Sequence, residues 1–246
     1  MHSPAFAGLF LFTALLAAQD PFEIHVYEYE TLKPYQFTFE THLNYIAIGT
    51  RRFDGTLAPT QDQFHTTFEL TAGLTSYASI GFMQLNAVRP GNSFEYAGWR
   101  VLPHFYAPRS WRLPLELGLV AEFSFQKTVY EENSRRVEIR PILEKSAGKW
   151  QADFNPVFER ALHGPSTRDG WSFEPAARIG YEASKRITPS LEYYSAVGPR
   201  FHQLLPGADW KITDDLVWSF GIGLGLTATE PRLVVKSRFE FSFGKK

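Results

Sequence analysis

The 246-residue chain contains no cysteine. Disulfides, thiolate metal sites, a cysteine nucleophile and a lipidated N-terminal cysteine are therefore excluded. It also lacks an excess of either charge: 25 Lys and Arg stand against 26 Asp and Glu, a net charge of -1. That balance offers no basic surface to displace phosphate counterions, so no nucleic-acid partner is expected. After residue 20 no apolar run is long enough for a helix to cross a bilayer, and any membrane insertion has to use strands. No Gly-x-Ser-x-Gly, His-Glu-x-x-His or comparable spacing of nucleophile and base occurs. The run Gly221-Ile222-Gly223-Leu224-Gly225 lacks the last spacing and the following helix of a dinucleotide loop. It reads instead as small residues turned toward the interior of a strand. No repeat, linker or low-complexity tract divides the chain, and one domain is expected at this length.

One apolar run is present. Ala5 to Ala18 is interrupted only by Thr13 and is followed by Gln19, Asp20 and Pro21. At ~1.5 Å per residue such a run falls short of the ~30 Å hydrocarbon core, so it reads as a signal peptide over residues 1–18, cleaved near Ala18 or Gln19. Residues 19–34 are expected to form a short periplasmic or plug segment, and 35–246 a β domain.

Beyond residue 34 the period is two. From Leu113 to Phe125 the odd positions carry Leu113, Leu115, Leu117, Leu119, Ala121, Phe123 and Phe125, and the even ones include Glu116, Glu122 and Ser124. Trp171 to Glu182 and Leu233 to Phe243 repeat this division. A soluble sandwich alternates in the same way, so loop lengths have to separate the two. Turn chemistry marks eleven connections, near 50–60, 72–76, 89–93, 107–112, 127–135, 146–149, 163–170, 185–189, 198–206, 213–215 and 228–231, which makes about twelve strands. Odd-numbered connections tend to be long and even ones tight, except around 89–112. Even strand number with short turns at one end and longer loops at the other is the asymmetry of bacterial outer-membrane barrels, and a sandwich has no reason to show it. Trp and Tyr near strand ends, such as Trp111, Trp150, Trp171 and Trp210, suit girdles at two membrane interfaces. Pro103, Pro141, Pro156 and Pro175 fall within predicted strands, where bulges or bends are expected.

With these strands placed, the chain resembles the Gram-negative outer-membrane β-barrel class. Its last strand ends Arg238-Phe239-Glu240-Phe241-Ser242-Phe243, and Phe239, Phe241 and Phe243 match the alternating aromatic signal read by the outer-membrane barrel assembly machinery. The chain departs from that signal by continuing through Gly244, Lys245 and Lys246, and by Arg238 where Gly is usual. The resemblance implies an all-β fold: a closed antiparallel up-and-down transmembrane β-barrel, exported and placed in the outer membrane. Its expected partners are membrane lipid, the assembly machinery and a small solute.

If the apolar parity faces lipid, the other parity lines the lumen. Its acidic members are then Glu40, Glu69, Glu116, Glu122, Glu138 and Glu144, followed by Asp153, Glu159, Glu174, Glu182, Glu192 and Glu240. Arg100, Arg140, Arg178, Lys236 and Arg238 would face them, and His42, His65 and His104 share the inward parity. Twelve strands lie between a bore filled by side chains and an open channel. The reading favoured here is a passive channel or binding barrel for small polar or amphipathic solutes, with no cofactor, metal or catalytic residue assigned. The alternatives are an outer-membrane enzyme or metal-binding barrel using His42 or His65, and a soluble periplasmic ligand-binding β-barrel.

Overall fold

The computed structural model describes residues 20–197, 201–228 and 231–244; the expected signal peptide lies outside them. Fourteen strand segments follow in chain order: β1 (Gln36–Ile48), β2 (Phe64–Thr75), β3 (Ala78–Val88), β4 (Phe94–Tyr106), β5 (Glu116–Gln126), β6 (Arg135–Ala147), β7 (Trp150–Asn155), β8 (Phe158–His163), β9 (Ser172–Phe173), β10 (Ala176–Tyr181), β11 (Ile187–Ala196), β12 (Phe201–Lys211), β13 (Leu216–Gly225) and β14 (Leu233–Gly244). Both β7 and β8 pair with β6, and β9 and β10 pair with β8 and β7 respectively, so each of these couples is one interrupted stave. The wall therefore has twelve staves, all antiparallel to their neighbours. β1 pairs with β14, Phe37 opposite Phe243, and the sheet closes without a free edge. Closure removes the unpaired backbone groups that a membrane could not satisfy.

The interruptions have a common cause. The register on either side of the gap in β6 (Ile139 opposite Phe158, Leu143 opposite Phe154) places Pro141 opposite Pro156. The registers of β8–β9 and β7–β10 place Pro156 opposite Pro175 in the same way. Three prolines thus lie side by side on adjacent staves, and none can donate a ladder hydrogen bond. Pro103 behaves similarly: the β4–β5 pairing runs through Val101–Phe123 and His104–Val120 but skips the residues between.

Outward positions include Phe39, Phe68, Phe82, Phe123, Ile222 and Leu224, all substantially exposed, whereas the inward positions beside them are buried. Phenylalanines occupy the middle of this outer face as well as the strand ends, because they carry no polar atom that needs interfacial water. Trp99 also lies mid-strand in β4, whereas Tyr35, Trp111, Trp150 and Trp171 sit at or beyond strand ends. Gly221 and Gly223 face inward, and a Cβ on Gly221 would collide with the Leu205 side chain that fills the space above it.

Connections 49–63, 127–134 and 164–171 emerge at one end, and the tight 76–77 and 148–149 at the other, together with the first and last barrel strands' outer ends. Two boundaries differ from the sequence reading. Connection 107–115, in the stretch excepted from the long–tight alternation, runs three residues further than the expected 107–112, so that β5 begins at Glu116 and not Leu113, and it contains a short 3-10 turn at Arg109–Trp111. The ninth connection is shorter than expected: β12 begins at Phe201, because Phe201, Gln203 and Leu205 bury their side chains inside the barrel despite the nearby Pro206.

Candidate functional site in the barrel interior

Residues 20–34 run through the lumen from the long-loop end to the tight-turn end. A turn closed by the Gln36 amide donating to the Lys33 carbonyl (3.0 Å) then reverses the chain into β1. Pro34 and Tyr35, the latter at φ 67°, occupy the two central positions, the pattern of a type II turn. An extended segment with no sheet partner must satisfy its backbone elsewhere. Here side chains of the wall do so. The Tyr27 amide donates to Asn155 Oδ1 (2.7 Å), and Asn155 Nδ2 donates back to the Tyr27 carbonyl (3.0 Å). The Tyr29 amide donates to Glu144 (2.7 Å), Thr67 Oγ1 to the Phe22 carbonyl (2.8 Å), and Asn44 Nδ2 to the Pro21 carbonyl (2.9 Å).

The side chains of the segment divide between two apolar patches on the inner wall. Phe22, Tyr27 and Tyr29 pack with Met83, Leu85, Leu102 and Val120, while Ile24 and Val26 pack with Ile46, Phe201, Leu205 and Val234. The inner face is thus not uniformly polar, and its greasy patches coincide with the threaded segment. Charges add to the attachment. Arg100, 2% exposed, binds Asp20, Glu23 (2.7 Å) and Glu122 (3.3 Å). Arg136 binds Asp20 (3.1 Å), Glu131 (3.5 Å) and Glu159 (2.7 Å), and Arg140 reaches Glu23 (3.5 Å) and Glu138 (2.7 Å). Arg178 meets Glu28 (3.2 Å), Asp153 (3.3 Å) and Asp209. Multiply paired guanidinium groups of this kind hold buried carboxylates that would be costly alone.

Two spaces remain. Near Asp20, Phe22 and Tyr130 the cavity measures about 70 Å³. At the tight-turn end a vestibule of about 520 Å³ opens, lined by Glu28, Glu30, Lys149, Arg178, Lys185 and Glu240 among others. Over the other end, loop 49–63 meets loop 127–134 where the Ala58 amide donates to the Val129 carbonyl (2.9 Å). Partial burial, with Asp54 and Glu131 close by, pushes the Glu132 carboxyl of this cap above the usual carboxylate range.

The residues singled out from the sequence fall into distinct settings. Glu40, His42 and Glu69 come together on β1 and β2. His65 stands apart, edge-on to Phe22 with ring centroids 4.5 Å apart, and His104 lies edge-on to Tyr27 at 5.9 Å. Lys236 pairs with Glu192 (2.7 Å), and Arg238 with Glu40 (2.8 Å) and Glu240 (3.4 Å). Glu174 accepts from Ser172 (3.1 Å) within the proline break. Glu116 pairs at the strand end with the exposed Arg109 (2.9 Å), and Glu182 lies beyond β10, exposed at the vestibule mouth. Phe239, Phe241 and Phe243 face outward, with Phe239 stacked on Trp218 at 5.7 Å.

Sequence reasoning missed Asp20, Glu23, Glu28, Arg136 and Asp209 as interior charges. Arg136 was hidden by its place next to a connection read as ending at 135, although its even parity matches Glu138 and Arg140. A neighbouring Ser and His on the outer face were missed too: Ser195 and His202 are directly opposite across β11–β12, with Ser195 Oγ 3.4 Å from His202 Nδ1. The Tyr193 hydroxyl, at 2.6 Å, occupies that same nitrogen and leaves the serine without a free base.

No protein-family model matches this chain, and no curated protein matches its sequence significantly. Solved structures do match. The KdgM porin superposes at a TM-score of 0.53 with 11% identity, covering 84% of this chain and 99% of its own. The NanC porin gives 0.56 with 9% identity, over 85% and 100%. The outer membrane phospholipase A of Escherichia coli gives 0.51 with 12% identity, over 86% and 98%. The fold is that of the outer-membrane β-barrels, in its twelve-stave closed form.

Proposed function

We propose that this chain is an outer-membrane channel barrel for small polar solutes, held closed by its own residues 20–34. The observation that supports this most is the division of the interior. A vestibule of about 520 Å³, within the size range of small-ligand sites, ends against a threaded segment that is tied covalently to the wall at β1 and otherwise held by noncovalent contacts. Its lining mixes Lys149, Lys185 and Arg186 with Glu28, Glu182 and Glu240, which suits polar or zwitterionic solutes more than ions of one sign. The carboxylates of the inner wall are in large part paired with its arginines. The porin names of two structural neighbours agree with a channel, and the outward Phe239, Phe241 and Phe243 with delivery by the barrel assembly machinery. Removing the segment would leave a polar bore through twelve staves. In planar bilayers the intact protein should be silent or nearly so, and a variant lacking residues 20–34 should give steady unitary currents. A deletion variant that folds, judged by heat-modifiable gel mobility, yet neither conducts nor admits solute to liposomes would overturn the proposal.

A further inference from the structure

Glu40 and Glu69 are directly opposite each other across β1–β2, and Glu240 is opposite Glu40 on the other side, so one row of the wall carries three carboxylates. Like charges so placed repel, the more so when buried. Arg238 serves Glu40 and Glu240. Among the described residues, His42 is the one basic group within ion-pair distance of Glu69. His42 Nε2 lies 3.5 Å from Glu40 Oε2 and 3.7 Å from Glu69 Oε2. The ring is 2% exposed and this nitrogen makes no hydrogen bond.

Those separations discriminate between two arrangements. An imidazolium hydrogen-bonded to a carboxylate would draw the atoms to about 2.7–3.2 Å. Nitrogen and oxygen ligands about 2.0–2.2 Å from a tetrahedral ion instead stand roughly 3.4 Å from each other. All three candidate ligand atoms lie within 4.8 Å of one another, so the two histidine–carboxylate separations already match and the two carboxylate oxygens need to close by about 1 Å at most to surround a single ion. Both carboxylates are also oriented by donors of the wall. Thr71 Oγ1 donates to Glu69 Oε1 (2.9 Å), leaving Oε2 toward His42, whereas Arg238 Nη1 donates to Glu40 Oε2 (2.8 Å), the oxygen that also faces His42 and would share its lone pairs between the guanidinium and an ion. Such supporting donors orient ligands in metal sites. An entry path exists, since Arg238, Glu240 and His25, neighbours of the cluster, line the vestibule.

We infer that Glu40, His42 and Glu69 form a binding site for one divalent transition-metal ion, of the zinc class, in the inner wall of the barrel. One imidazole nitrogen and two carboxylate oxygens suit zinc, and a water from the vestibule side completes four-coordination. The site is independent of whether the barrel conducts.

The test uses untagged, detergent-folded mature chain stripped with chelator and titrated with Zn²⁺, and with Co²⁺ as a spectroscopic probe. The wild type should retain one equivalent of zinc after gel filtration and show the intense visible absorption of four-coordinate Co²⁺. His42→Ala and the near-isosteric Glu69→Gln should each weaken binding at least tenfold, while His65→Ala, at a buried histidine outside the cluster, should not change it. Absence of retained metal in the wild type overturns the inference, which needs no variant to fold. Retention unchanged in both His42→Ala and Glu69→Gln overturns it equally.

Discussion

Around Asp20 and Phe22 the interior leaves about 70 Å³, whereas the opposite end leaves about 520 Å³, although the same twelve staves enclose both. The walls do not account for the difference, since inward carboxylates and cations occur along the whole height. What differs is the threaded segment. Between Asp20 and Tyr29 it presents alternating charged and apolar side chains that match arginines and greasy patches on the wall. Below Tyr29 that matching stops and the space stays open. Lumen occupancy in this barrel is therefore a property of fifteen residues outside the wall, not of strand number.

The comparison can be attacked most strongly at Arg100. Arg100→Ala takes from Glu122 its ion-pair partner and from Asp20 and Glu23 one of two cations each, and truncating one member of a buried ion cluster costs about 3–5 kcal/mol. Urea unfolding of the folded barrel in lipid vesicles should show that loss; a change below about 1 kcal/mol would mean that the closed half is not held by its charges. The outer face supplies the next effect. Leu119 points outward, and Leu119→Arg should cost about 2–4 kcal/mol if that face meets hydrocarbon near the midplane. A neutral result would place the face in water. The smallest effect belongs to the open half: Glu116, paired at the vestibule end with an exposed arginine, should tolerate Glu116→Gln at about 0–1 kcal/mol in the same assay. Equal losses for Arg100→Ala and Glu116→Gln would erase the distinction between the two halves.

Much of the wall was legible from residue order alone. Alternation is enforced by a period of two, so Leu117, Leu119, Ala121 and Phe123 had to share a face opposite Glu116 and Glu122. Turn residues then counted the staves. The interior was less legible, because parity tells which residues face inward but not which of them meet. His42, Glu40 and Glu69 could be placed together, since a hairpin symmetric about its loop brings them across from one another. His65 and His104 share their parity but sit against Phe22 and Tyr27, residues of a segment with no ladder to fix its register. The role of Asp20, Glu23 and Glu28 was invisible for the same reason. A stretch without strand pairing is positioned by side-chain matches, and those have no period to read.

The row formed by Pro141, Pro156 and Pro175 carries a consequence for how this cylinder would come apart. Each of those positions lacks an amide hydrogen, so the joints among β6, β7, β8, β9 and β10 have fewer rungs than the joint that sews the first stave to the last. Loss of structure on heating should start along that line in the middle of the chain, with the terminal strands the last to let go.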